Sequence, residues 1–315
     1  MSVFEPDPMM LPREVPLGGP RAMLVRRSLP GKQRRTVGAW CFSDAYGPTE
    51  LAAAPGMQVP PHPHIGLQTA TWLVDGQVRH RDSLGNDVLI RPGQLNLMTA
   101  GHGIAHAEHS PGRHGPVLHG VQLWIALPDS ARETKPHFEH HEDLPTFDVD
   151  DATTTVLAGS VAGHTSPARV YTPLVGAEFA IPARGTAVVP LEPDFEHAVL
   201  SLGEPVRVDG IEVPTGALRY LDPGTKSVTL GAGAAAKALL IGGVPFEERL
   251  VMWWNFVART HDEIVEARAA WEAERESPGE RFGAVAHYDA AEGGAALPAP
   301  ALPNARLRAR GRIHD

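Results

Sequence analysis

Apolar and polar residues alternate in short bursts along most of this chain, with turn residues between the bursts. The clearest series is GLQTATWLVDG (66–76), QVRHRD (77–82), VLI (88–90), QLNLMTAG (94–101), GIAHAEHS (103–110) and LHGVQLWIAL (118–127). Asp75-Gly76, Ser83-Leu84-Gly85-Asn86 and Arg91-Pro92-Gly93 break it with turn chemistry. A period of two marks strands with one buried face, and strands at this density predict a sandwich or barrel. Earlier, MLVRRSL (23–29) and VGAWCFSDAYG (37–47) read as strands, while residues 1–20 read as irregular. A polar connector is expected over 128–150. A second strand series follows in VLAGSVAG, EFAIPARGTAVVPL, AVLSLG, VRVDGIEVPTGALRYL, SVTLGA and ALLIGG (156–243).

The period changes only once. In HDEIVEARAAWEAERES, Ile264, Ala267 and Trp271 fall on one helical face, and Thr260 with Glu263 forms a capping box. Pro278-Gly279 ends this helix, and 278–315 reads as an extended or disordered tail. The chain thus divides into an N-terminal segment 1–20, a first barrel 21–135, a second barrel 136–255, a helix 256–277 and the tail. The fold class is all-β.

Composition narrows the function classes. The chain has 315 residues with 32 Gly and 30 Pro, in keeping with many turns, and a formal net charge of −9. That acidity argues against sequence-independent nucleic-acid binding. No stretch approaches the roughly 20 apolar residues of a membrane helix, and the N-terminus lacks a secretory pattern. With Cys41 as its one cysteine, the chain forms no intrachain disulfide. A cytoplasmic, monomeric protein is expected.

The chemistry concentrates in the first barrel, where eleven of the sixteen histidines fall between His62 and His141. His62 and His64 are two apart, and His106 and Glu108 repeat that spacing. Residues i and i+2 of a strand share a face. Two such strands facing each other surround a point with three imidazoles and a carboxylate, a donor set suited to a divalent first-row metal. His109 falls on the opposite face of a regular strand, and only a β-bulge would make it a ligand. Leu67, Trp72, Leu97, Met98, Val121 and Trp124 are candidates for lining a pocket, about half of them expected to pack elsewhere. The second series holds His164 and His197 without paired spacing and is expected to bind no metal.

The spacing of Gly56, His62-Pro63-His64, Gln68 and Gly76, followed by Gly103-Ile104-Ala105-His106, resembles the two motifs of the cupin family. The stretches RRTVGAWCFSDAYGP, HPHIGLQTATWLVDG, HRDSLGN, IRPGQLNLMTAGHGIAHAEHS, GVQLWIALP and VMWWNFVARTHDEIVEA are similar to the pirin family over most of residues 21–275. That resemblance implies two stacked cupin barrels (a bicupin) with a C-terminal helix. It implies one metal, usually iron, held by His62, His64, His106 and Glu108. Fe(II) is the leading expectation; Mn, Ni, Co, Cu and Zn are the others. It further implies a quercetin 2,3-dioxygenase-like activity. A phenolic flavonol and dioxygen would be the substrates, and Glu108 the catalytic acceptor of the 3-hydroxyl proton. The alternative it carries is an iron-dependent redox-sensing protein that binds partners such as transcription factors or metabolic enzymes. Ile65, His102 and His109 depart from the common pirin pattern, and the first two remove positive charge near the mouth of the site.

Overall fold

In the computed structural model, residues 8–17, 23–51, 56–112 and 114–313 are described. Two seven-stranded antiparallel sheets pack face to face. One runs His137–His141, Leu95–Thr99, Leu67–Asp75, Val117–Ala126, Trp40–Glu50, Met23–Leu29 and Arg13–Leu17 in spatial order. The other runs Met9–Met10, Leu218–Leu221, Glu196–Leu202, Ala236–Gly243, Leu174–Ile181, Ala152–Ala158 and Thr146–Val149. Each is closed into a barrel by a four-stranded sheet. Gln58–His64, Ile104–His109, Val78–Asp82 and Asp87–Ile90 close the first barrel. Thr186–Pro190, Ser227–Ala232, Val206–Val208 and Ile211–Val213 close the second. The chain is therefore all-β with two stacked barrels and a C-terminal helix: the alternating pattern predicts the strands, and the family resemblance implies the paired barrels.

Alternation decides what each face buries. In Leu67–Asp75, Ala70 and Trp72 join the core shared by the two barrels, while Thr71 and Leu73 point into the first. Trp72 Nε1 donates to Glu178 Oε2 of the second barrel at 2.7 Å, so even this polar atom serves the junction. Glu196 is the other junction residue. It is fully buried, accepts from Gly38 N and Tyr220 Oη, and faces Arg34 and Arg312. The interior of the second barrel is filled by Phe179, Val189, Val199, Leu230, Leu240 and their neighbours.

The boundaries differ from the sequence reading in several places. The segment 1–20 is not uniformly irregular: Met9–Met10 extends the second barrel and Arg13–Leu17 the first, while 1–7 and 18–20 lie outside the described residues. The expected connector 128–150 contributes two strands, and His137–His141 pairs with Leu95–Thr99, which moves it into the first barrel. Its polar side chains concealed it, because an edge strand needs only one apolar face. The helix spans His261–Glu274, and Phe256–Ala258 before it is a strand. Thr260 caps it by accepting from Glu263 N, but the Glu263 carboxylate accepts from Arg259 N, one residue further back than a capping box requires. Finally, the tail 278–313 is neither disordered nor wholly extended: it carries a one-turn helix, Ala290–Gly293, and is held against the fold. Phe282 and Ala299 are buried against the helix, and Arg310 exchanges two backbone hydrogen bonds with Leu250.

Candidate metal centre

The strand Gln58–His64 lies antiparallel to Ile104–His109, with His106 opposite His62. This pairing brings the two motifs together. Ring nitrogens of His62, His64 and His106 all lie within 4.8 Å of one another, and all three residues are buried. Glu108 is buried beside them and lines the same cavity, of about 580 Å³. By distance it groups with His106 and His80 rather than with His62 and His64, so His106 is common to both sets. A bulge does occur here, between His106 and Glu108, but the extra residue belongs to the partner strand. Against Val78–Asp82 the register runs unbroken from His106 to His109. Hence His106 and Glu108 keep one face, and His109 lines a different cavity with Arg79, Arg81 and Tyr288.

The outward-facing nitrogens of the three imidazoles are tied down. His62 Nδ1 bonds Pro60 O at 2.9 Å, and His64 Nδ1 bonds Asn255 O at 2.9 Å. A carbonyl only accepts, so each Nδ1 carries the proton and each Nε2 keeps its lone pair. Asn255 occupies the turn between Val251–Trp253 and Phe256–Ala258, where Trp254 adopts φ +53°. A left-handed Trp costs about 1–2 kcal/mol, and here that conformation helps direct the Asn255 carbonyl at His64. Gly66, at φ +69°, lets this hairpin close: a Cβ there would lie 2.0 Å from Val257 O.

His106 is oriented by a chain of side chains absent from the sequence reading. Asp82 Oδ2 faces His80 Nε2 at 3.2 Å, and His80 Nδ1 faces His106 Nδ1 at 3.4 Å. Asp82 is fixed in turn by Leu84 N, Asn86 N and the Asn86 amide. His80 lies two residues before Asp82 in HRDSLGN, and that spacing alone places both on one strand face. The signal was present, but a lone His-x-Asp on a barrel strand has too many structural explanations to stand out. Among the described residues, His106 Nε2 is buried without a hydrogen-bond partner. Buried polar atoms are rarely left so, and a lone pair beside two others is what a metal ion would satisfy.

Electrostatics agree with that use. Burial holds His62 down at about 4, and holds His64 and His106 well below the ordinary histidine range, so all three imidazoles are neutral at pH 7. Burial raises Glu108, with His80 and the Thr71 hydroxyl partly opposing it. Thr71 Oγ1 lies 3.2 Å from Glu108 Oε1 and 2.9 Å from Gln122 Oε1.

Of the six residues expected to line a pocket, Trp124 alone does so; Leu67, Trp72, Leu97, Met98 and Val121 belong to the core between the barrels. The remaining wall comes from Phe42, Arg27, Gln122, Val59, Trp254, Asn255, Leu297, Pro298, Pro16 and Leu17. Ile65 and His102, expected near the mouth of the site, instead line a separate cavity with Arg132, Glu133 and Arg281, so their loss of positive charge does not bear on this one. Arg27 lines the metal cavity itself. It pairs with Asp44 through both carboxylate oxygens at 2.7 Å and lies 4.3 Å from the Phe42 ring centre.

Comparison with known proteins follows the same outline. The sequence pattern of the family described as Pirin matches residues 22–125, and that of the Pirin C-terminal cupin domain matches 176–277. A Pseudomonas aeruginosa protein provisionally named quercetin 2,3-dioxygenase is 46% identical over 293 residues, covering 92% of this chain and 89% of its own. The crystal structure of a quercetin 2,3-dioxygenase from Acinetobacter baumannii superposes with a TM-score of 0.88 at 43% identity, covering 96% of this chain and 97% of that one. A bacterial pirin from Escherichia coli in complex with nickel(II) shares the fold at a TM-score of 0.58 and 18% identity, covering 76% of this chain and 99% of that one. Among the described residues no helix is long and apolar enough to cross a membrane.

Proposed function

The chain belongs to the pirin family, and on that premise we propose that it is a metal-dependent dioxygenase acting on a quercetin-like flavonol. In this reading His62, His64, His106 and Glu108 hold one divalent first-row ion, Fe(II) in the working protein. When bound, that ion supplies open positions for an oxygen chelate and for dioxygen. The observation that carries the reading is His106 Nε2, buried and unpartnered, beside two imidazoles whose other nitrogens are already engaged.

The side chains divide the work. The three imidazoles present lone pairs in fixed orientations, so little reorganisation accompanies loading. Glu108, made more basic by burial, would accept the proton of the substrate's 3-hydroxyl on swinging off the ion, through the oxygen that Thr71 leaves free. Trp124 and Phe42, stacked with ring centres 4.0 Å apart, give the cavity a firm aromatic wall. Arg27 also lines the cavity, its charge balanced by Asp44. The cavity volume lies within the range of small-molecule sites, about 300–1,000 Å³. Cytoplasmic residence and a monomeric state belong to the same reading.

Anaerobic reconstitution with each of Fe(II), Mn(II), Ni(II), Co(II) and Cu(II), followed by oxygen uptake with quercetin, tests it. Turnover with at least one metal, lost in Glu108→Gln, is expected. No turnover with any metal, together with partner binding that differs between Fe(II) and Fe(III) forms, would replace the enzyme reading with a redox-sensing one.

A further inference from the structure

We propose that the C-terminal segment at Leu297 and Pro298 is a specificity-determining wall of the metal cavity, setting the size of ligand that reaches the three imidazoles. This rests on the metal-site reading above. The ligand class it fits has an apolar, ring-bearing body and a chelating oxygen head.

The segment lies beyond both family patterns, which end at residue 277. It nevertheless lines the cavity that holds His62, His64, His106 and Glu108. The cavity is divided in character. Imidazoles, Glu108 and Gln122 form one part of the lining, whereas Leu297, Pro298, Val59, Pro16 and Leu17 are apolar. A ligand whose head chelates at the histidines must leave its body against these apolar groups, since an unpaired polar body would lose its hydration there.

The wall is firm. Both backbone groups of Leu297 are bonded: its N–H donates to Pro61 O at 2.8 Å, and its carbonyl accepts from Trp271 Nε1 at 2.8 Å. Ala299 N donates to Glu272 Oε1 and Arg268 Nε donates to Pro300 O, each at 2.6 Å. Arg268, Trp271 and Glu272 are neighbours on one helical face, so a single face of the helix grips three tail residues, Leu297, Ala299 and Pro300. Three prolines, Pro298, Pro300 and Pro303, further restrict the backbone. The bond to Pro61 ties the wall to the edge strand that carries His62 and His64. Leu297 therefore keeps a constant distance from the ligand cluster, and its side chain governs clearance.

The full-length, nickel(II)-loaded chain provides the test, with Leu297→Ala, Leu297→Trp and the milder Pro298→Ala. Two probes are used: dipicolinate, a single-ring chelator whose extraction of nickel is timed, and quercetin, whose dissociation constant is read from its absorbance shift. Leu297→Ala should speed extraction about tenfold, and Leu297→Trp should slow it and weaken quercetin by about tenfold or more. Wild-type extraction rates and quercetin affinity in all three folded variants, with only the melting temperature lowered, would overturn the proposal and leave the tail as a brace. If quercetin fails to bind the wild type while extraction still follows residue 297, the flavonol reading fails and the wall stands. A wild-type chain that takes up no nickel overturns both.

Discussion

His80 and His106 meet Nδ1 to Nδ1 at 3.4 Å, with the Asp82 carboxylate behind His80. This order fixes both tautomers. Asp82 accepts, so His80 carries its proton on Nε2 and offers a lone pair at Nδ1; His106 then carries its proton on Nδ1 and leaves Nε2 free for the cavity. His80→Phe preserves an aromatic ring against Phe138, on which His80 stacks at 4.5 Å, but removes the acceptor. Metal affinity should fall about 10–100-fold, measured by competition with a chromophoric chelator. An unchanged affinity would show that His106 is oriented without His80.

Donor deletions separate holding from chemistry. His62→Ala should leave metal content well below one ion per chain after desalting, as read by plasma mass spectrometry. Glu108→Gln retains an oxygen donor but loses the base. Its oxygen uptake with quercetin should drop about 10²–10⁴-fold, more than its metal content does. If metal content and uptake fall in parallel, Glu108 serves as a ligand alone.

The metal-free protein should be acid-sensitive in a defined window. Burial lowers His62 and His197 to about 4, whereas an unfolded histidine titrates near 6.5. The unfolded chain thus binds more protons between these values. Stability is fully present above about pH 6.5 and falls as pH drops towards 4, by up to about 1.4 kcal/mol per pH unit for each such histidine. Urea unfolding at a series of pH values checks this, and His197→Gln should reduce the slope by the contribution of one group.

Glu196 holds the barrel junction, and its loss strands a buried cation, Arg34. Glu196→Ala leaves Arg34 without its carboxylate and Gly38 N and Tyr220 Oη without an acceptor. A destabilisation of about 3–5 kcal/mol is expected for a broken buried pair, visible in thermal unfolding. A loss under about 1 kcal/mol would mean that the Arg34 guanidinium, 3.3 Å from the Tyr220 ring centre, is compensated by that ring.

Much of this protein follows from local periodicity. The two-residue spacing of His62 with His64 and of His106 with Glu108 is enough to put each pair on one face, because successive strand side chains alternate. The same rule separates His109 from its neighbours, and Thr260 announces the helix start through its own hydroxyl. Edge strands were harder to see. His137–His141 is short and largely polar and Arg13–Leu17 is short and contains a proline; what makes them strands is a partner elsewhere in the chain.

The sequence alone determined most strands, the helix and the two same-face donor pairs, since each depends on residues within a few positions of one another. Tertiary structure decided how those donors are poised. The Asn255 carbonyl reaches His64 from 191 residues away. His80 finds His106 only because neighbouring strands pair in that register. Leu297 walls the cavity because one helix face grips the tail. No periodicity encodes such contacts; they exist only once the apolar faces have packed and fixed which distant groups share a cavity.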